Sequence, residues 1–288
     1  MLKIASYFFS LPFIARYRFR CLYNKPANLL RPNTKLVVNE LLEEDLRKAF
    51  TAKGCGARVL WTPEGAGKTT YVCHILRSLQ NEGKIRGSIV LTAEQTDMSP
   101  SAWLQSMVSD NLPGNLLRDG CTISTLLNED PVYSYESPYS PITPVVIVID
   151  QIENIRRSDE MNKLIKSLAE DASLRKTYNI LIITNNAAYA RGLIELNART
   201  KIRSIGDARR YKWNETHINN WLNNNKEGIS VEKKQLLLTT GPIAGTPAFL
   251  LDNINDETLP NMMQVYAHYS KSLWDAGIEV MRKGIYTK

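Results

Sequence analysis

Cysteine and histidine are scarce in this chain of 288 residues, which contains four cysteines and three histidines. No two cysteines form a C-x-x-C pair, so a disulfide framework and a zinc site are both disfavoured. We therefore predict a reducing, intracellular compartment. The sequence also lacks a G-x-S-x-G segment and a histidine pair at metal-binding spacing, which removes the support for an acyl-transfer enzyme or a metal hydrolase.

Acidic residues are absent from the first 39 positions, which hold seven of the 36 lysines and arginines. Removing these seven leaves 29 basic residues, equal to the 29 acidic residues of the whole chain. The net charge of +7 therefore belongs to the N-terminal segment alone. A nucleic-acid-binding surface is not supported by this charge pattern, because the remainder of the chain is balanced.

The N-terminal segment, residues 1–38, is predicted to be a basic, apolar leader. Its apolar and aromatic run covers residues 4–15, which is too short for an ordinary membrane span and is interrupted by Pro12. A secretory signal, a mitochondrial or other organelle transit peptide and a segment in a membrane interface all fit this composition. Packing against the core or a flexible basic arm also fits. Contact of residues 1–23 with a membrane surface is accordingly one of several open predictions.

A glycine-rich loop between a strand and a helix is the most informative motif of the sequence. The stretch T-P-E-G-A-G-K-T, residues 62–69, matches the phosphate-binding pattern G-x-x-x-x-G-K-[ST] except at Thr62, where the pattern has glycine. Backbone N–H groups of such a loop bind phosphate oxygens, the lysine reaches the β- and γ-phosphates, and the hydroxyl of Thr69 ligates Mg²⁺. The alternative is an ordinary turn. The predicted ATP-binding residues of this loop are Pro63, Glu64, Gly65, Ala66, Gly67, Lys68, Thr69 and Thr70.

The elements around this loop predict an α/β protein with a parallel sheet. A short apolar run at residues 57–61 reads as a buried strand, and Val72, Ile75, Leu76 and Leu79 lie on one face of the helix that follows. An earlier helix is predicted from Asn39, with an apolar stripe formed by Leu41, Leu42, Leu46, Ala49 and Phe50. Residues 88–92 read as a second strand, and residues 111–144 as an irregular insertion.

A second phosphate-site motif follows this insertion. Residues 145–150 form a β-branched run that ends in Asp150, which is the form of a Walker B strand carrying a Mg²⁺-binding carboxylate. A helix with apolar positions 161, 164, 165 and 168 and a strand at 179–183 complete a parallel crossover. This strand ends in Thr184 and Asn185, at the edge where the γ-phosphate is expected.

Together these motifs resemble those of the AAA+ and STAND divisions of P-loop ATPases, over roughly residues 39–255. The resemblance implies that Asn185 is the sensor 1 residue, and that Pro247, in the G-x-P segment of residues 245–247, contacts the nucleotide. Gln151 stands where typical AAA+ enzymes have glutamate, and D-Q-x-E resembles the pattern of some STAND proteins. Gln151 cannot accept a proton, whereas Glu153 can do so if the chain turns back toward the phosphate. An exposed carboxylate at a helix start is the alternative for Glu153.

We therefore predict a P-loop core over residues 39–206 and a smaller helical lid domain over residues 207–288. The predicted catalytic residues are Glu153, Asn185 and Lys68, and the predicted metal ligands are Thr69 and Asp150. The expected function is Mg²⁺-dependent ATP binding, with hydrolysis coupled to lid closure and to control of a protein partner. Alternatives are a nucleotide-loaded, membrane-docked scaffold with little turnover and a DNA-handling ATPase. Two arginines, Arg191 and Arg199, are predicted to be arginine fingers of a homo-oligomer, phosphate contacts from within the subunit or solvent-facing side chains.

Overall fold

The computed structural model describes most of the chain after residue 35. The described residues are 36–37, 39–85, 87–93, 99–100, 102, 144–154, 158–176, 178–196, 201–225, 229–238, 243 and 259–283. The predicted leader, the predicted insertion up to residue 143, Arg199 and Pro247 lie outside the described residues. Among the residues described, none of the helices has the length and apolar character needed to cross a bilayer.

Five parallel strands form one sheet in the order β2-β3-β4-β1-β5. The strands are β1 Ala57–Trp61, β2 Gly87–Thr92, β3 Val145–Asp150, β4 Tyr178–Thr184 and β5 Ile202–Ser204. In the sheet register Trp61 lies opposite Thr184, and Asp150 lies opposite Ile183. The carboxyl ends of β1, β3 and β4 therefore meet at one edge, which is where ligands bind to open parallel sheets.

Seven helices and two short 3-10 segments accompany the sheet in the described part of the chain. The helices are α1 Glu40–Thr51, α2 Lys68–Asn81, α3 Ser158–Arg175, α4 Ala187–Leu196, α5 Glu215–Asn225, α6 Val231–Leu237 and α7 Leu259–Lys283, and the 3-10 segments are Ile152–Asn154 and Ala208–Tyr211. Both faces of the sheet are covered, because side chains of alternating strand positions enter two different apolar clusters. The predicted fold class, a parallel sheet flanked by helices, is confirmed.

Helix α1 shows how the sequence pattern produces a local element. The side chain of Asn39 caps it by accepting the N–H of Leu42 at 3.1 Å, and Glu43 pairs with Arg47 at 2.7 Å. Four of the five predicted stripe residues are buried, but the prediction was wrong for Leu41, which is 40% exposed. Leu41 directly precedes the buried Leu42, and adjacent helical positions face directions about 100° apart.

A smaller apolar cluster lies apart from the two clusters of the sheet. It joins α5, α6 and the first half of α7 through Ile218, Leu222, Leu237 and Met263. Asn214 caps α5, since its side chain accepts the N–H of His217 at 3.0 Å. Helix α7 then continues onto the core, where it packs against α4. The predicted division of the chain near residue 206 stays a prediction.

Candidate functional site

The loop between β1 and α2 turns tightly at two glycines. Gly65 and Gly67 both have φ of 75°, in the left-handed region that glycine enters readily. Thr62 is not among the described residues with positive φ, and its side chain is only 2% exposed. The threonine at the position of the missing glycine is thus a buried side chain on an unstrained backbone.

Lys68 begins α2 and folds back over the loop. Its ammonium donates hydrogen bonds to the carbonyl oxygens of Thr62, at 2.8 Å, and Pro63, at 2.9 Å. Burial lowers the pKa of Lys68 to about 8, and the nearby carboxylates of Asp150 and Glu153 act in the opposite direction. A partly desolvated cation therefore lies beside the N-terminus of a helix, where the helix dipole also favours an anion.

The hydroxyl of Thr69 and the carboxylate of Asp150 meet at this edge of the sheet. Thr69 donates a hydrogen bond of 2.5 Å to Asp150 Oδ2, and the backbone N–H of Gln151 donates to Oδ1 at 2.9 Å. Burial raises the pKa of Asp150, which is 3% exposed, while these two hydrogen bonds act in the opposite direction. A hydroxyl and a carboxylate within contact distance are the oxygen donors that Mg²⁺ prefers, so the residues present fit this ion.

Glu153 turns back toward the same edge. It lies in the 3-10 segment after β3, and its Oε1 accepts the backbone N–H of Asn185 at 3.1 Å. Its Oε2 is buried and has no hydrogen-bond partner among the described residues. This geometry favours the first of the two predicted interpretations over an exposed carboxylate, because an isolated buried oxygen is costly unless a ligand or water meets it.

One cavity of about 170 Å³ brings most of the predicted residues together. It is lined by Glu64, Gly65, Gly67, Lys68, Thr69, Thr70, Asp150, Gln151, Glu153, Thr184 and Asn185. Pro63 lines the neighbouring cleft, and Ala66 packs against the apolar cluster that contains α2. The sequence motifs thus converge at one site, and the chemical role of each residue stays a prediction.

Comparisons with known proteins identify this architecture. No family model matches the sequence, and no curated protein sequence matches it. Among solved structures, it is similar to a Walker-type ATPase of Pyrococcus abyssi, with a TM-score of 0.53 and 12% identity over 88% of this chain and 79% of that one. It is also similar to the ORC2 protein of Aeropyrum pernix (ADPNP-ADP complexes), with a TM-score of 0.51 and 9% identity over 92% of this chain and 72% of that one. The chain has the fold of the AAA+ P-loop ATPases.

A second, larger cleft lies beside the loop. It has a volume of about 890 Å³ and lies between the loop, the start of α4 and one face of α7. Its lining from α7 consists of Tyr266, Tyr269, Ser270, Leu273 and Gly277. Sequence reasoning missed these residues, because the helical periodicity of α7 does not reveal which distant loop it faces.

Arg191 makes contacts that link two helices of the chain. Its side chain is half-buried, with Nε bound to Glu195 at 2.9 Å and Nη1 to the Val280 carbonyl oxygen at 3.4 Å. It therefore connects α4 to α7 within the chain, while 29% of its side chain stays exposed. The predicted roles of Arg191, as an arginine finger, a phosphate contact or a solvent-facing side chain, stay predictions.

Proposed function

We propose that this chain binds ATP together with Mg²⁺ and hydrolyses it. The observation that carries the proposal is the buried Oε2 of Glu153, which has no partner within the described part of the chain and lies in the cavity that also holds Lys68, Thr69 and Asp150. A carboxylate with one oxygen left without a donor, beside a phosphate-binding loop, is suited to accept a proton from water. The AAA+ fold supports the same function, because this fold is used by nucleotide-binding ATPases.

Phosphate binding would rest on the loop and on the first turn of α2. The left-handed conformations of Gly65 and Gly67 turn the loop tightly, which allows successive N–H groups to point at one anion. Lys68 supplies a full positive charge at the same place. Thr69 and Asp150 would hold Mg²⁺, which neutralises negative charge on phosphate oxygens when it is bound.

Hydrolysis would use Glu153 as the general base. The oxygen of a water molecule attacks the γ-phosphorus, the bond from that phosphorus to the bridging oxygen breaks, and ADP leaves. The proton of the water passes to Glu153. Gln151 does not take this part, since its amide cannot accept the proton and its Oε1 already accepts a hydrogen bond from Asn154 at 3.2 Å. Asn185 would orient the terminal phosphate from the adjoining strand.

The finer parts of the proposal concern control. We infer a switch of the STAND type, in which closure of the helical region over the nucleotide signals to a protein partner. The cleft between the loop and α7 supports this, because a nucleotide-dependent shift of α7 would change its shape. Homo-oligomer formation, an intracellular location and docking of residues 1–23 to a membrane, mitochondrial membranes included, are further parts of the proposal.

A nucleotide-loaded scaffold with little turnover is the second candidate. It is favoured by Gln151, which occupies the position after Asp150 with its side chain held by Asn154. A DNA-handling ATPase is the third candidate and has less support, although one of the similar structures is named ORC2. Basic and acidic residues balance from position 40 onward, so a cationic DNA-binding face has no support from charge.

The test uses the full chain and two variants with matched controls. Bound nucleotide and steady-state turnover of Mg²⁺-ATP are measured for the wild type, Lys68→Ala and Glu153→Gln. Lys166→Ala and Glu170→Gln, both at exposed positions of α3, control for the loss of a charge. We expect Lys68→Ala to lose ATP binding. Glu153→Gln should bind ATP but turn it over at least about 100-fold more slowly than the wild type.

The outcomes separate the candidates. Retained ATP with no turnover in the wild type would favour the scaffold. Salt-sensitive DNA binding that survives deletion of residues 1–35 would favour the third candidate. Undiminished turnover in Lys68→Ala would refute nucleotide chemistry at this loop.

A further inference from the structure

One tryptophan connects three parts of the molecule at the site. Trp61 is the last residue of β1, directly before the phosphate-binding loop, and it is only 4% exposed. Its indole Nε1–H donates a hydrogen bond of 3.1 Å to the backbone carbonyl oxygen of Asn185. Asn185 lines both the small cavity and the larger cleft, and its backbone N–H is held by Glu153. Glu153 therefore binds the backbone N–H of Asn185, and Trp61 binds its backbone carbonyl oxygen.

Helix α7 packs against the same indole ring. A Cβ atom built on Gly277 would overlap Cζ2 and Cη2 of Trp61, so the ring fills the place of a side chain. The ring of Trp274, one turn earlier on α7, is fully buried and lies 6.3 Å from the Trp61 ring. Glycine is a poor helix former, and the close approach of the indole explains its presence in the interior of α7.

We propose that Trp61 is a positioning residue. It holds Asn185 in place at the phosphate edge only while α7 packs against the indole at Gly277. The proposal rests on the proposed function and deepens it, because it assigns a residue through which α7 regulates that site. A displacement of α7 removes the packing that fixes the indole plane. The indole then no longer directs its N–H at Asn185, and the side chain of Asn185 loses its position near the terminal phosphate.

The test is a double-mutant cycle on Trp61 and Gly277. Trp61→Phe removes the N–H and the atoms that contact Gly277. Gly277→Ala adds a methyl group that clashes with the indole and displaces α7 from it. Gly192→Ala, also in a helix but with open space around the new Cβ, controls for the helix substitution. Trp213→Phe, which lies against His217 in the smaller helical cluster, controls for the loss of an indole.

We expect each single variant to lower kcat for ATP about 10- to 100-fold, because a small misplacement of a catalytic group has effects of this size. The KM for ATP should change by less than about threefold, since the loop and Lys68 are untouched. The double variant should be no slower than the slower single variant. Gly277→Ala should lower Tm, and Trp61→Phe should relieve part of this loss by making room for the methyl group. Both controls should behave as the wild type.

Two kinds of failure are distinguishable. The inference is overturned if Trp61→Phe keeps kcat within about twofold of the wild type. It is also overturned if the effects of the two substitutions multiply in the double variant; the proposed function stays intact in both cases. A wild type that binds ATP without turnover would refute hydrolysis. The inference is then tested by the ratio of ATP affinity to ADP affinity, which Trp61→Phe should lower about two- to threefold; an unchanged ratio would overturn it. A wild type that binds no nucleotide would overturn both.

Discussion

Raising the pH above about 8 should weaken ATP binding through Lys68. Burial of its ammonium lowers the pKa of Lys68 to about 8 from an ordinary value of 10.5. Lys68 therefore loses its positive charge in a pH range where an exposed lysine keeps it. A bound triphosphate favours the charged form and raises this pKa again. Binding therefore takes up a proton when the solution is more alkaline than the free protein's pKa.

The size of the effect follows from this pKa. At about pH 7 roughly nine-tenths of the free protein carries the charge, whereas at about pH 9 roughly one-tenth does, which corresponds to about tenfold weaker binding. The triphosphate itself does not contribute in this range, since its last ionisation lies near about pH 6. Folding stability should change in the opposite direction, because between about 8 and 10.5 the unfolded chain binds this proton and the folded chain does not.

The assay is a titration of the protein with Mg²⁺-ATP at a series of pH values. Calorimetry in two buffers of different ionisation enthalpy gives the number of protons taken up. Lys68→Arg is the matched control, because arginine keeps its charge throughout this range and should bind with a Kd that does not change with pH. A wild-type Kd that is constant up to about pH 9.5 would refute the account of Lys68 as a desolvated cation.

Two further predictions concern stability. Thr62→Val should raise the free energy of unfolding by about 1 kcal/mol in urea titrations, because it removes a buried hydroxyl that has no partner among the residues that the structure describes. ATP affinity should stay within about twofold. Lost ATP binding would show that the loop needs the hydroxyl. Asn39→Ala should lower the free energy of unfolding by about 1 kcal/mol through loss of the α1 cap, whereas Asn220→Ala, at an exposed position inside α5, should leave it nearly unchanged. Equal effects of the two asparagine substitutions would contradict the capping role.

The parts of the fold that were predictable from sequence depend on local pattern. Strands β1 and β3 have the predicted bounds, since buried parallel strands are short, continuous apolar runs with abrupt polar ends. The helix after the loop was predictable from its apolar face, and all four predicted residues of that face are 1% exposed or less. The convergence of Lys68, Asp150 and Asn185 followed from the rule that carboxyl ends of parallel strands share an edge.

Long-range contacts were not predictable in this way. The packing of Gly277 against Trp61 joins residues near opposite ends of the described chain. An isolated glycine in a helical pattern does not indicate which residue will pack against it. The role of Arg191 in joining α4 to α7 depends on the same docking of α7. Tertiary packing decides such contacts, and a single sequence records only the propensities of each element.

The return of Glu153 to the site depends on one unusual backbone angle. Gln151 has φ of 55°, a left-handed conformation that costs a non-glycine residue about 1 kcal/mol or more. Two contacts offset this cost, since its N–H donates to Asp150 and its side chain accepts from Asn154. The reversal of the chain places Ile152 in the core and returns Glu153 to the strand edge. Under the proposed function, Asp150 would hold the metal and Glu153, two residues after Gln151, would accept the proton of the attacking water. The glutamine at position 151 is then compatible with hydrolysis.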